Sequence, residues 1–335
     1  FDFNKKSCII YPTSFMGEDM SFKNKRVLVA GGAGLIGIPL VKLLLGEGAD
    51  VRIAALNNPY CIFPERTELI DLTEYQNCLK VTKNIDYVFN LMCLKGSPEA
   101  MKKYPARFFD TLIPLSTVLG RAALANRVGG YLFTSSVAVY QPAEILREDD
   151  VWTTMPSKND WFAGWAKRMG ELQVEAYRIE HNWVNTAIVR PSNVYGPYDN
   201  FEPASALFMA SKIRQFAEKE NPIVVWGDGS QIRDFVHAED VARGMLLAAE
   251  KSASPLNLCS GRPTTIKEVV EILAKNAGYK PEIIFDTNKP AGDSRRLLDV
   301  SRLKALGFEP RISLEQGLKE TIEWYRANIN GADKR

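Results

Sequence analysis

The chain has 335 residues, 46% of them hydrophobic and 24% charged, an ordinary globular composition at a length that suits two associated domains. Its 42 basic and 40 acidic residues leave a formal charge of +2, which gives no electrostatic case for nucleic acid or an anionic membrane but leaves room for a small anionic ligand. Five cysteines (Cys8, Cys61, Cys78, Cys93, Cys259) without a CxxC pair, and only His181 and His237 beside them, argue against a metal site or a disulfide framework, so a reducing cytoplasm is expected.

No run approaches the roughly 18 apolar residues of a membrane span. The first 24 residues, opening FDFNKKSCIIYPTSFMGEDM, lack the pattern of a secretory signal and read as an N-terminal arm. Val27 to Ala30 then reads as a strand ending in glycines, Leu35 to Gly46 as a helix with Pro39 in its first turn, and Val51 to Leu56 as a second strand. The alternation continues with strands at Asp86 to Met92, Tyr131 to Ser135 and Thr186 to Arg190, and helices at Leu112 to Ala125 and Gly164 to Glu180. Repeated strand–helix alternation predicts an α/β protein with a doubly wound parallel sheet. Beyond Pro191 the chain turns to Pro/Gly-punctuated loops, a strand at Ile223 to Trp226 and helices near 203–219 and 265–277. The expected division is an arm (1–24), a first domain (25–190 plus about 234–260) and a smaller α+β substrate-binding domain (191–233 plus about 261–335).

Gly31, Gly34 and Gly37 space a GxxGxxG turn within VLVAGGAGLIG. Between a strand and a helix, glycines let the backbone approach a pyrophosphate, and the helix N-terminus offers free N–H groups and a positive dipole. A dinucleotide on a Rossmann sheet is the reading. The second strand ends Ala54-Ala55-Leu56-Asn57-Asn58, without the acid that normally binds the adenosine ribose and without a nearby base before Arg66. Asn57 is the candidate ribose partner. NAD is preferred because a buried, unpaired 2′-phosphate is costly, and NADP stays open.

Six segments together are far more specific: VLVAGGAGLIG, FTSSVAVY, GWAKRMGELQVEAY, IVRPSNVYGPYDNF, VVWGDGSQIRDFVHAEDVA and RRLLDVSRLKALGF. Through them the chain, from about Asn24 to Tyr325, resembles the extended short-chain dehydrogenase/reductase family, in particular its nucleotide-sugar epimerases, reductases and dehydratases. That family works with a Ser or Thr and a YxxxK pair on one helix face, where the lysine lowers the phenol pKa and holds the nicotinamide ribose. The resemblance assigns the hydroxyl to Ser136 and the lysine to Lys167. It further implies cofactor contacts from Leu35, Ile36, Asp71, Leu72 and Pro191, and substrate contacts from Cys93, Lys95, Ser136, Asn193, Trp226, Arg233 and Arg295, with Arg296 the alternative to Arg295.

Where the family carries its tyrosine this chain has Ala163, four residues before Lys167. Three readings stand: another residue carries the proton, with Tyr198 placed in the catalytic set and Lys95 and Cys93 as further candidates (Cys93 being expected to be buried); the chain is an inactivated Tyr-to-Ala variant; or it is a non-catalytic binding protein. Other departures exclude chemistry. Val137 and Ala138 follow Ser136 where the 4,6-dehydratases of the family carry an Asp-Glu pair, which disfavours dehydration. The GDP-fucose synthase branch is similar through its GSP and GPxDNF segments. Its cysteine and histidine, which serve double epimerisation, are here Ala138 and Tyr198. Hydride chemistry at C4 of a nucleotide-linked sugar remains, as oxidation, reduction or 4-epimerisation, with a GDP-sugar preferred to a UDP-sugar. The family's dimers pack two helices, here about 112–126 and 164–180, into a four-helix bundle, so a homodimer is expected.

Overall fold

The computed structural model describes residues 21–96, 98–251, 255–289 and 292–332. Most of the predicted arm, Cys8 included, lies outside them. Its last part, however, belongs to the body: Phe22 is fully buried, with its ring 5.3 Å from that of Tyr87 and 5.6 Å from that of Phe89.

The first half of the chain runs β1 (Arg26–Ala30), α1 (Gly37–Gly46), β2 (Asp50–Ala55), β3 (Thr67–Leu69), α2 (Tyr75–Thr82), β4 (Tyr87–Asn90), α3 (Pro98–Lys103), α4 (Pro105–Ala125), β5 (Gly130–Thr134), α5 (Trp161–His181) and β6 (Thr186–Pro191). The second half adds β7 (Asn193–Tyr195), α6 (Phe208–Ala217), β8 (Ile223–Trp226), β9 (Ile232–Arg233), β10 (Phe235–His237), α7 (Ala238–Lys251) and β11 (Leu256–Leu258). It closes with β12 (Thr264–Thr265), α8 (Ile266–Ala277), β13 (Ile283–Asp286), β14 (Arg295–Arg296), α9 (Ser301–Ala305) and α10 (Leu314–Ala332).

Seven parallel strands in the order β11-β6-β5-β4-β1-β2-β3 form the central sheet. Both faces are buried, so alternate residues of one strand serve opposite cores. Val27, Val29, Val51 and Ile53 pack with Leu40, Val41 and Leu44 of α1 and Val241 and Met245 of α7. Leu28, Ala30, Ala54 and Val88 pack with Val81 of α2, Leu115 and Leu119 of α4 and Val174 of α5. Strand order reverses between β1 and β4, and a doubly wound sheet binds its ligand at the carboxyl ends of the strands at that point.

Helix α4 begins at Pro105, well before the predicted Leu112, because Pro105 is the first-turn proline while Pro114 lies inside the helix. By length and composition this helix is apolar enough to cross a membrane. Here its buried face, Leu112, Leu115, Leu119 and Ala122, covers the sheet instead. The second core packs α6, α8 and α10 around the parallel pair β8–β13, with Phe201, Phe216, Val225, Val269, Leu318 and Tyr325 at its centre. Small sheets β7–β10 and β12–β9–β14 join the two bodies.

Candidate active site

The glycine turn has the shape that a bound diphosphate needs. Gly31 holds a φ of +82°, in the left-handed region that favours glycine. A Cβ on Gly37 would collide with the Gly31 carbonyl oxygen and the Gly32 backbone, whereas one on Gly34 would meet only the Gly31 oxygen, at 3.4 Å. No side chain caps α1, and although the Ile38 N–H is bonded to the Gly34 carbonyl at 3.0 Å, the N–H groups before it, at Leu35, Ile36 and Gly37, are placed to meet an anion. These residues therefore fit a dinucleotide. Gly37→Ala is expected to push α1 off the sheet, cost about 1–3 kcal/mol, and weaken dinucleotide binding; a denaturant midpoint and a cofactor titration measure the two effects.

At the end of β2, Asn57 is exposed while its neighbour Asn58 holds the following loop, bonding the carbonyl of Ile62 at 2.9 Å. Arg66 turns the other way, to Asp50 (3.5 Å) and the Val51 carbonyl (3.3 Å) near the start of β2. It is thus not placed to meet a phosphate at that strand's carboxyl end. The Asp71 carboxylate accepts from the Thr73 backbone N–H at 2.9 Å and hydroxyl at 2.7 Å, and Leu72 is buried in the α2 core. Pro191 closes β6 in a buried position.

Lys167 lies in α5, buried among the carboxyl ends of β4 and β5. Its Nζ donates to the Met92 carbonyl at 3.0 Å and to the Thr134 carbonyl at 2.9 Å. Burial pulls its ammonium below the usual lysine range, against the Cys93 sulfur and the Glu171 carboxylate, which favour the charge. Ser136 stands two residues past Thr134 and its Oγ accepts the Ala138 backbone N–H at 3.2 Å. Ala163 occupies the first turn of α5 against Phe108, Leu112 and Ala166. The nearby Tyr140 is no replacement for the phenol. It is buried, its hydroxyl donates to Asn257 Oδ1 at 2.5 Å and accepts from Arg190 Nη1 at 3.0 Å, and burial pushes its pKa up.

The three candidate proton carriers fall in different surroundings. The Tyr198 ring is held 5.4 Å from Tyr60 and 4.8 Å from Trp324, with Lys42 Nζ 5.3 Å from its centroid. Lys95 Nζ reaches Asp199 Oδ1 at 3.6 Å, and the Asp199 carbonyl accepts the Tyr60 hydroxyl at 3.1 Å. Cys93, against the expected burial, is exposed and follows Met92, whose carbonyl holds Lys167. Tyr60, Asp199 and Trp324 escape a sequence reading because two loops and helix α10, far apart in the chain, bring them together.

On the far side, β9 and β14 run in parallel register, with Arg233 opposite Arg296 and Ile232 opposite Arg295. Strand alternation then sends Arg295 away, to the Glu144 carbonyl at 2.8 Å, while Arg296 flanks Arg233. The Arg233 guanidinium bonds only the Ile232 carbonyl, at 2.8 Å, and has no ion pair among the described residues. Burial, aided by the Arg296 charge, lowers it to about 10. The Asp293 and Asp160 carboxylates oppose that shift from a distance, and Arg233 is still a cation at neutral pH. Trp226 is 40% exposed, with Lys289 Nζ 5.7 Å from its ring. Asn193 Nδ2 is bound to the Asp234 carbonyl at 2.9 Å.

Asp234 fastens the junction of the two bodies. Its carboxylate accepts from Ser192 Oγ (3.2 Å), Ser260 N–H (2.8 Å), Ser260 Oγ (2.9 Å) and Gly261 N–H (2.7 Å). Burial outweighs those donors and raises it from 3.8 to about 6. A raised carboxyl pKa favours the protonated native state, so this contribution to stability is full below the unfolded value and fades as pH rises through about 6. Asp234→Asn is therefore expected to flatten the stability profile between pH 3.8 and about 6, measured as urea midpoints across that window.

No group of three or more potential metal-ligating side chains occurs among the described residues. The sheet order and the glycine turn together define a dinucleotide-binding α/β protein. The chain belongs to the NAD dependent epimerase/dehydratase family, whose model matches residues 27–259. It is similar to a putative GDP-L-fucose synthase 2 of Arabidopsis thaliana, with 30% identity over 322 residues, 93% of this chain and 95% of the relative. A dTDP-4-dehydro-6-deoxy-D-allose reductase from a Streptomyces species is 30% identical over 320 residues, 90% of this chain and 96% of the relative. Among solved structures, UDP-glucose 4-epimerase of Thermotoga maritima with UDP-glucose has a TM-score of 0.82 at 26% identity, covering 91% of this chain and 99% of that one.

Proposed function

We propose that the chain is a nicotinamide-dependent oxidoreductase or epimerase that acts at C4 of a nucleotide-diphosphate sugar, a GDP-sugar in preference to a UDP-sugar. The observation that carries this reading is the pairing of a buried Lys167, held by the Thr134 carbonyl two residues before Ser136, with a buried Arg233 in the second body that has no direct ion pair among the described residues. The GDP-L-fucose synthases at 30% identity favour the guanine nucleotide. NAD is preferred to NADP, since Arg66 is engaged at the other end of β2.

The nicotinamide, when bound, accepts or supplies the hydride. Ser136 holds the sugar oxygen at C4, and Lys167 stabilises negative charge on that oxygen and orients the ribose. Arg233, with Trp226 and Asn193 nearby, holds the diphosphate end, because a guanidinium binds phosphate oxygens in a bidentate way. Cys93 is the favoured proton carrier in place of the phenol: it adjoins the carbonyl that holds Lys167, whereas Lys95 is tied to Asp199 and Tyr198 to an aromatic cluster. The exposed apolar residues Phe162, Leu172 and Ile179 of α5 support a homodimer through α4 and α5.

The test is release of bound small molecules from the purified protein, read by mass spectrometry, followed by turnover assays on GDP- and UDP-sugars. Bound NAD with turnover supports the enzyme; absence of any dinucleotide, and of binding when one is added, rejects it. Ala163 favours a second reading, a binding protein without chemistry. Installing the phenol discriminates: Ala163→Tyr is expected to leave turnover unchanged or lowered if the site has been rebuilt around another carrier. A gain of about tenfold or more would assign an inactivated tyrosine site.

A further inference from the structure

We propose that Asp293 and Arg296 are positioning residues that transmit diphosphate binding at Arg233 to the start of the helix carrying Lys167. The inference rests on the diphosphate reading of Arg233 given above. Arg296 Nε and Nη2 donate to Asp293 Oδ2 at 2.9 and 2.6 Å, and Nη2 also meets Asp160 Oδ2 at 2.5 Å. The other oxygen of Asp293 accepts Ser157 Oγ at 3.1 Å and Asn159 Nδ2 at 2.7 Å. One carboxylate and one guanidinium of the second body thus grip Ser157, Asn159 and Asp160, three of the four residues that lead into α5 at Trp161.

The grip continues toward the reacting centre. The Ser157 backbone N–H donates to the Tyr140 carbonyl at 2.9 Å, and Gly164 lies so close to the Ala138 carbonyl that a Cβ would collide with it. The segment 157–164 is therefore packed on the loop that begins at Ser136. Toward the other side, Arg296 is in strand register with Arg233, and its Nη1 has no partner among the described residues. Two carboxylates already hold one edge of Arg296, so it cannot leave to follow a ligand, while its open Nη1 edge and the largely unpaired Arg233 can share one anion. An anion there relieves the repulsion between the two guanidiniums and so holds Arg296, and the Asp293 clasp attached to it, in one position. Binding in the second body then orders the first turn of α5, where the family places its tyrosine and this chain has Ala163.

Hydrogen exchange of the amides of 157–164, with and without GDP and UDP, tests this alongside steady-state kinetics. Without nucleotide, Asp293→Ala is expected to speed exchange in that segment while leaving β4 and β5 unchanged. With GDP, the wild type slows exchange there by about two- to thirtyfold. Asp293→Ala keeps the GDP dissociation constant within about threefold, loses the protection, and lowers kcat more than it raises KM. Arg233→Met weakens GDP binding by about tenfold or more. Retained protection in Asp293→Ala overturns the proposal, as does a loss of GDP affinity equal to that of Arg233→Met. If the wild type binds neither nucleotide, the diphosphate reading fails and the transmission with it. The nucleotide-free arm still reports separately whether the clasp orders the helix start.

Discussion

Lys167→Met is expected to lower turnover by about 10²- to 10⁴-fold, the range that positioned proton-transfer groups supply. With alanine at 163, no phenol stands in the helix turn before the ammonium, a buried cation at the carboxyl ends of β4 and β5, and the proposed reaction leaves it to meet charge on the sugar oxygen. Methionine keeps the length of the side chain and removes its charge. It also leaves the Met92 and Thr134 carbonyls without their donor, at a cost of about 1–3 kcal/mol for each unmet group. Activity and stability must therefore be read together. Single-turnover change in the reduced-nicotinamide absorbance, on protein shown to be folded by its denaturant midpoint, gives the first quantity free of the second. Turnover within a few-fold of wild type would mean that Lys167 serves the fold alone.

Glu171→Ala is expected to cost about 3–5 kcal/mol of stability. Glu171 and Arg190 are 1% and 0% exposed and form a two-pronged pair, Nε to Oε1 at 2.8 Å and Nη2 to Oε2 at 2.6 Å. The guanidinium also donates to the Tyr140 hydroxyl and to the Glu148 carbonyl at 2.8 Å, tying β6 to α5 and to the loop after Ser136. Loss of the carboxylate strands a charge that no solvent reaches. Replacing both partners, Glu171→Leu with Arg190→Met, is expected to cost much less than the single change. Urea unfolding of the three proteins decides it, and equal losses in the single and double variants would count against a stranded charge as the cause.

The parallel sheet was legible because β4, β5 and β6 are continuous apolar runs, the pattern of strands buried on both faces. Strand β3 and helix α2 were not. The strand has three residues, and the helix buries only Cys78, Val81 and Thr82, too few to make a periodic signal. Ser136 and Lys167 were legible as candidates because each sits in a local motif, and Ala163 drew notice because it breaks one. Arg295 was preferred to Arg296 on sequence, yet Arg296 is the residue beside Arg233. Two adjacent arginines in a two-residue strand give no clue to which face each takes until the partner strand is known. The Asp293 contacts with Ser157 and Asn159 join positions more than a hundred residues apart and leave no trace in spacing.

The position of β11 bears on how the chain comes to be folded at all. This strand pairs with β6, and α7 covers the sheet beside α1, yet both are made only after β7 to β10 and α6 have been synthesised. A ribosome that has released everything up to β6 has therefore supplied six of the seven strands, but neither the outermost one nor the helix that shields one face. Until residue 258 emerges, that face and the open margin of β6 are exposed to whatever else is in the tube or the cell. The nucleotide-binding body is thus not an autonomous first product of translation, and shortened chains ending before Leu256 are expected to be recovered in aggregates.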